Sequence, residues 1–536
     1  MILKSKNWFE GAVAYQIYPR SFYDSDGDGV GDLRGIIEKL DYLAGRPDSL
    51  GVDVIWLCPF YKSPMADFGY DIADYYSIDP VFGNLDDARD LIVECHKRDI
   101  KILVDLVANH TSDEHPWFID SKTSTESSKR EWYIWRDGHG TEPPNDWLSV
   151  FGGSAWQYDK TSGQYYLHSF STKQPDLNWA NPDVRKAVKD IMRFWLDLGV
   201  DGFRADAVYW LAKDHRYRND PLKSDAPRPG EPEYDELVHT YSRNGHQLYE
   251  YLRQMAGVLD DYKDKFMIVE AYPEGGKQAE EYLKFYKYVD PEHLSPFIFE
   301  GIYLPWEATA FGSFINQFQA GVKKNYLPVY VMGNHDQSRL ASRIGTPAAR
   351  AAGVLQLTLP GMPFIYYGEE LSMKDSYIPA RLRNDPLSLH GDDRDKSRTP
   401  MQWNGSEHAG FSRAKPWLPP ANDYKNRNVS VQRRDRDSSL SLYRELIKLR
   451  KNSKALSLGK YVPLEIDNIG VFGFKRRYRR REMLVLVNFT AKSVSARSRY
   501  IKGKVRLSTH LPVVKAELSG EIILKPNEAV IIESSL

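Results

Sequence analysis

Three acidic residues stand at the ends of short apolar runs: Asp206 in GFRADAV, Glu270 in MIVEAY and Asp336 in MGNHD. Such carboxyl groups suit chemistry in which one protonated acid hands a proton to a departing oxygen while an ionised partner meets the carbon left electron-poor. Opening a glycosidic bond needs that division of labour. With the two groups about 5 Å apart, the ionised one attacks directly and the anomeric configuration is retained. Their surroundings must then push their pKa values apart. Arg204 lies two residues before Asp206 and shares its face of a strand, so its guanidinium is expected to hold Asp206 anionic. Glu270 follows three apolar residues and has no basic neighbour in sequence, which predicts a raised pKa and the proton-donating role.

Further polar residues cluster at comparable positions. DLVANH supplies Asp105, Asn109 and His110, and NHD places His335 beside Asp336. Neither histidine has the HxH or HxxxH spacing of a metal pair, so neutral imidazoles hydrogen-bonding to hydroxyl groups are expected. Near the N-terminus, DSDGDGVGD puts Asp24, Asp26, Asp28 and Asp32 at positions 1, 3, 5 and 9 of a calcium-type loop. Gly29 falls at position 6 and the Val30 carbonyl at position 7. Position 12 is Gly35 rather than Glu, so this is not an EF-hand. Four acids at alternate positions repel one another without a cation. The loop therefore predicts a structural Ca²⁺, with Mg²⁺ as the alternative, and no organic cofactor.

Acids separated by 130 residues meet only if the fold gathers them. Eight apolar runs read as strands, starting at Val13, Val52, Ile100, Val200, Lys265, Leu294, Leu327 and Gly361. Amphipathic stretches such as 85–99 and 181–199 separate them, with Asn84 and Asn181–Pro182 as helix starts. This alternation predicts an α/β fold, a (β/α)8 TIM barrel that collects strand ends into one ring. The barrel is expected over 1–107 and 176–456. Residues 108–175, rich in Trp and Tyr, read as a subdomain inserted after the third strand. A long irregular excursion of about 371–420 follows the eighth. From 457 to 536 short alternating runs predict a C-terminal all-β sandwich. The basic run 475–482 lies between two of its strands and reads as a solvated edge or turn.

At 536 residues and 42% hydrophobic, the chain can bury a large core. Lys and Arg total 72 against 73 Asp and Glu, a balance that gives no reason to expect nucleic acid or an acidic membrane as partner. Cys58 and Cys95 lie in apolar or helical stretches and are expected as buried free thiols. No secretory h-region or 18-residue apolar span is present, so a cytoplasmic protein, monomer or homodimer, is expected.

In order along the chain, DLVANH, QPDLN, GFRADAV, the Glu of IVEAY and GNHD resemble the signature regions of the α-amylase family of glycoside hydrolases. QPDLN (174–178) resembles its oligo-1,6-glucosidase and α-glucosidase branch. The resemblance implies Asp206 as nucleophile, Glu270 as general acid/base and Asp336 as transition-state stabiliser. It also implies that Arg204, His110 and His335 line the sugar subsite, that Asp105 braces it, and that Tyr70 stacks beneath the sugar. From GYDIADY and SRTPMQW it implies that Asp71 and Arg398 close the pocket around the terminal glucose, which argues for exo-action on small oligosaccharides. Phe151 and Phe170 are candidate walls. Ala207 stands where oligo-1,6-glucosidases typically carry Val, which favours maltose-type α-1,4 links over isomaltose-type α-1,6 links. A glucosyl-transferring isomerase such as trehalose synthase shares the barrel and its acids, but QSRLASR after GNHD looks like the hydrolase branch.

Overall fold

The computed structural model describes residues 7–224, 232–273, 276–390, 393–511 and 517–535. Residues 391–392 of the long excursion, and 512–516 and 536 of the terminal region, lie outside that set. All eight apolar runs form strands of one sheet: Ala14–Ile17, Val54–Leu57, Lys101–Leu106, Gly202–Ala205, Phe266–Val269, Leu294–Ile298, Val329–Tyr330 and Phe364–Tyr366. Numbered in chain order, their order across the sheet is 7-6-5-4-3-2-1-8, and every pairing is parallel. A parallel bridge from Val331 to Phe364 joins the seventh strand to the eighth and closes the ring. Apart from Lys101, every residue of these strands is buried. Such burial on both faces is what a sheet with helices outside and packed side chains inside requires.

The connecting helices start where their caps predict. Asn84 accepts from the Asp86 and Asp87 amides, and Asp87 returns the bond to the Asn84 N–H, opening helix Leu85–Lys97. Asn181 accepts from the Asp183 amide, and Pro182 begins the helix that ends at Leu198. These two helices return the chain to the start of the third and fourth strands.

Between the third and fourth strands the chain forms helix Pro116–Thr123 and a small antiparallel sheet, in which Gln164–Leu167 lies between Trp135–Arg136 and Trp156–Asp159. Its core, built on Ile134, Trp147, Trp156, Tyr165 and Leu167, is completed by Tyr217 and Tyr241 from beyond the fourth strand. Trp147 Nε1 donates to the Arg218 carbonyl at 2.8 Å, and Asn145 to that of Tyr217 at 3.0 Å. This third excursion, after the fourth strand, escaped the sequence reading.

The terminal strands, from Lys460–Leu464 to Ala529–Ser535, form one six-stranded antiparallel sheet. Its strand Val494–Ser508 carries two register shifts and bends. One face, including Phe472, Phe474, Val485 and Ile531, joins the barrel core. The other encloses a second core of Leu484, Leu486, Ala496, Ile501, Leu524 and Ile532. The basic run forms the hairpin between Val471–Tyr478 and Arg481–Asn488. Cys58 and Cys95 are buried free thiols. Among the described residues no helix is long and apolar enough to cross a membrane.

Candidate active site

The third and fourth strands are paired so that Asp105 sits opposite Arg204. Strand register therefore builds the centre of the site. Arg204 is buried, and its Nη1 lies 2.7 Å from Asp105 Oδ1 and 2.5 Å from Asp206 Oδ1. Its Nη2 lies 2.7 Å from Glu270 Oε1. One guanidinium thus spans the two carboxyl groups expected to react. Glu270 has no basic neighbour along the chain, but the fifth strand runs beside the fourth and brings it to Arg204. Glu270 also accepts from Tyr272 Oη at 2.7 Å and from the Ala207 amide at 2.9 Å.

Nor does Arg204 alone set the charge of Asp206. Burial pushes the Asp206 carboxyl well above the usual range; Arg204 opposes the shift, while the charges of Glu270, Asp105 and Asp336 add to it. Burial likewise lifts Asp105 to about 6 against the pull of Arg204. Asp105 also accepts from Trp56 Nε1 at 2.8 Å.

Asp336 has the opposite balance. Burial works against its charge, but His335, Arg394, Arg398 and Arg204 outweigh burial and hold the carboxyl well below the usual range. Burial also pushes His335 down to about 3, so at neutral pH the arginines supply that field. Arg398 Nη2 is 2.9 Å and Arg394 Nη1 3.3 Å from Asp336 Oδ1. The Asp336 side chain is 22% exposed, against 9% for Asp206 and 6% for Glu270, so it is the acid most open to an entering molecule.

Gln16 Nε2 lies 2.8 Å from His335 Nδ1. That amide donor assigns the imidazole proton to Nε2, which faces Tyr70 Oη at 2.8 Å and Asp336 Oδ2 at 3.2 Å. The Tyr70 ring stacks on His335 with centroids 5.5 Å apart. His110 is buried, pushed down to about 4 by desolvation, and lies 3.1 Å from Gln174 Nε2. Phe170 packs on His110 at 5.3 Å and on Trp210 at 5.1 Å. Phe151 packs on Phe170 and lies under the Arg394 guanidinium. Ala207 has φ +46°, in the left-handed region, and this turn aims its N–H at Glu270.

Asp71 is not brought to Arg398. It is fully buried, and its oxygens accept from Ser63 Oγ and from the Ala66 and Asp67 amides. These bonds fold the loop instead. Asp67, four residues earlier, lies 2.7 Å from Arg394 Nη2. Arg394 in turn meets Asp385 at 2.6 Å. The sequence reading missed Asp67, Arg394 and Asp385. A usable signal existed for one of them: Arg394 lies four residues before Arg398, and the short 3-10 turn Arg394–Ser397 brings both to Asp336. Lys213, also missed, is buried between Asp176 and Asn109, at 2.8 and 3.1 Å.

In the acidic loop the carboxylates accept from the loop's own amides, Asp24 from Gly27 and Gly29 and Asp26 from Asp28. Ligand atoms of Asp24, Asp26 and Asp28 lie within 4.8 Å of one another, a set that fits a hard divalent cation. Asp32 is not among them. Its oxygens accept from Ser25 and from the Gly35 amide, capping helix Leu33–Leu43. The Val30 amide donates to Asp28 at 2.7 Å. Gly29 has φ +97°, and a Cβ there would meet the Lys415 carbonyl at 2.3 Å, so the loop docks tightly on the excursion after the eighth strand.

Residues 16–459 match the family Alpha-amylase, described as alpha amylase, catalytic domain. The oligo-1,6-glucosidase of Parageobacillus thermoglucosidasius is 39% identical over 97% of this chain and 98% of its own. An alpha-glucosidase of Culex pipiens is 39% identical over 85% of this chain and 77% of its own. Among solved structures, an alpha-glucosyl transfer enzyme superposes with TM-score 0.90 at 36% identity, covering 99% of this chain and 100% of that one. Matches this extensive, on a closed eight-stranded barrel with acids at its strand ends, establish that the chain belongs to the α-amylase family of glycoside hydrolases.

Proposed function

We propose that the chain is a retaining, exo-acting α-glucosidase that releases glucose from the non-reducing end of short α-gluco-oligosaccharides, with α-1,4 links of the maltose type preferred. The observation that carries this reading is the single Arg204 guanidinium in contact with both Asp206 and Glu270. Carboxyl groups bridged by one side chain belong with the short separations, about 5–5.5 Å, of retaining pairs rather than the about 6.5–9.5 Å of inverting ones.

In the first half-reaction the Asp206 carboxylate attacks the anomeric carbon. The bond from that carbon to the leaving oxygen breaks, and the oxygen takes the Glu270 proton. In the second, a water returns a proton to Glu270 while its oxygen displaces Asp206, freeing glucose. Asp336, held anionic by Arg394 and Arg398, receives ring hydroxyls and opposes the positive charge that develops on the sugar. Tyr70, His110 and His335 supply the stacking face and hydrogen bonds of the subsite. The cluster of Asp67, Arg394, Asp336 and Arg398 supports exo-action, since ion pairs across one side of a pocket leave no path for a continuing chain.

The relative from Parageobacillus supports α-1,6 preference as the second reading, and the alpha-glucosyl transfer enzyme supports transfer in competition with hydrolysis. Timed product analysis on maltose, isomaltose, sucrose, trehalose and maltotetraose separates the three. Asp206→Ala is expected to abolish turnover with the fold intact by circular dichroism; near-normal hydrolysis by that variant would sink the mechanism.

A further inference from the structure

The phenol of Tyr272 donates to Glu270 Oε1 at 2.7 Å. Its ring lies flat on buried Phe299, with centroids 4.8 Å apart and planes 9° from parallel. Tyr303, about half exposed, meets its edge at 6.5 Å.

A carboxyl group that hands over a proton must present it on the oxygen facing the leaving group. Oε1 of Glu270 already takes two donors, Arg204 Nη2 and Tyr272 Oη. Oε2 takes one, the Ala207 amide. An oxygen that accepts two strong donors has no lone pair well placed to bind a proton as well. We propose that Tyr272 is a positioning residue that occupies Oε1, so that the transferable proton resides on Oε2 of Glu270. The inference rests on the reading of Glu270 as general acid/base. Burial, with the charge of Glu270 beside it, pushes the Tyr272 phenol well above its ordinary value, so it stays a donor throughout the working pH range. The stack on Phe299 fixes the direction in which it donates.

Tyr272→Phe removes the donor and keeps the ring. The test compares kcat/KM on maltose, whose sugar leaving group needs a proton, with kcat/KM on p-nitrophenyl α-glucoside, whose nitrophenolate leaves without one. Because kcat/KM reports the first half-reaction, it isolates the step in which the proton is given. The variant is expected to lose roughly 10–100-fold on maltose and less than about threefold on the nitrophenyl substrate. The alkaline limb of its maltose profile should also move to higher pH, because a donor to the ionised carboxylate has gone. Equal losses on both substrates, or no loss on either, would overturn the proposal. Glu270→Ala measured in parallel keeps the two readings apart. If that variant shows no dependence on leaving group, the acid/base reading itself fails. If it shows the dependence and Tyr272→Phe does not, only the role of Tyr272 fails.

Discussion

Asp67 Oδ1 and Arg394 Nη2 lie 2.7 Å apart with both side chains largely buried, joining the loop after the second strand to the excursion after the eighth. The chain separates these residues by 327 positions. Because Arg394 also reaches Asp336 and Asp385, the pair ties the two loops to Asp336.

Removing the charge of Asp67 should therefore damage substrate handling more than folding. In Asp67→Asn, Arg394 keeps Asp385 as a partner, so the melting temperature should stay within a few degrees of the parent. Arg394 without this partner is held less firmly beside Asp336, and a displacement of about 1 Å costs on the order of 10²-fold in kcat/KM on maltose. Asp71→Asn should show the reverse emphasis, because its oxygens hold backbone amides of the loop and their loss appears first as a lower melting temperature. Kinetics and calorimetry on both variants decide the matter; interchangeable behaviour would refute the assignment.

Ala207 presents a different trade. A smaller side chain than Val enlarges the space beside Asp206, but its φ of +46° also matters. A β-branched residue in the left-handed region is strained. Ala207→Val should lower thermal stability and move the maltose-to-isomaltose ratio of kcat/KM toward isomaltose by no more than about 10–200-fold. An unchanged ratio would remove Ala207 from the determinants of linkage.

The barrel was legible because its strands are apolar runs of the right number, spaced by capped helices. Asp206 and Glu270 were legible as strand-end acids because they follow those runs directly. What escaped the sequence was whatever depends on loops meeting one another. Asp67 and Asp71 lie in the same short segment, and only the folded loop decides which carboxylate meets Arg394 and which is consumed by amides. The contact between Arg204 and Glu270 escaped for a related reason: it runs across neighbouring strands, so proximity along the chain gives no hint of it. Asp32 matched the alternating metal pattern, yet it also stands immediately before a helix, and the cap accounts for its bonds.

We propose that the Asp24–Asp26–Asp28 loop binds Ca²⁺ or Mg²⁺ in a structural role. Burial and the charges of its neighbours push Asp28 up, although the Val30 amide opposes the shift, so a cation there offsets a real repulsion. Bound ion would also lock the loop to its cover, since Ser412 Oγ lies 2.5 Å from Asp24 and the Trp417 amide 2.9 Å from the Gly29 carbonyl. Chelation should lower the melting temperature by several degrees, Ca²⁺ should restore it, and calorimetric titration should detect one site. Asp26→Ala should abolish that response while retaining activity at low temperature. A melting temperature indifferent to chelator would end the metal proposal.

Glu369 lies just beyond the eighth strand, and its burial couples stability to pH. Burial lifts its carboxyl from the ordinary 4.5 to about 8, although Tyr443 donates to it at 3.1 Å. The sign is opposite to that of an ion-paired carboxylate. Between 4.5 and 8 the folded chain binds this proton and the unfolded chain has released it, so the unfolded state holds fewer protons and stability falls as pH rises. The contribution is complete below pH 4.5 and is lost by about pH 8, amounting to a few kcal/mol at about 1.4 kcal/mol per unit. Glu300, raised by burial to about 7, acts in the same direction. The melting temperature should therefore decline from pH 5 to pH 8. In Glu369→Gln, which keeps an acceptor for Tyr443 without a titrating charge, that decline should be shallower, and the variant should match or exceed the parent above pH 8. Parallel curves for the two proteins from pH 5 to pH 9 would show that Glu369 does not carry the effect.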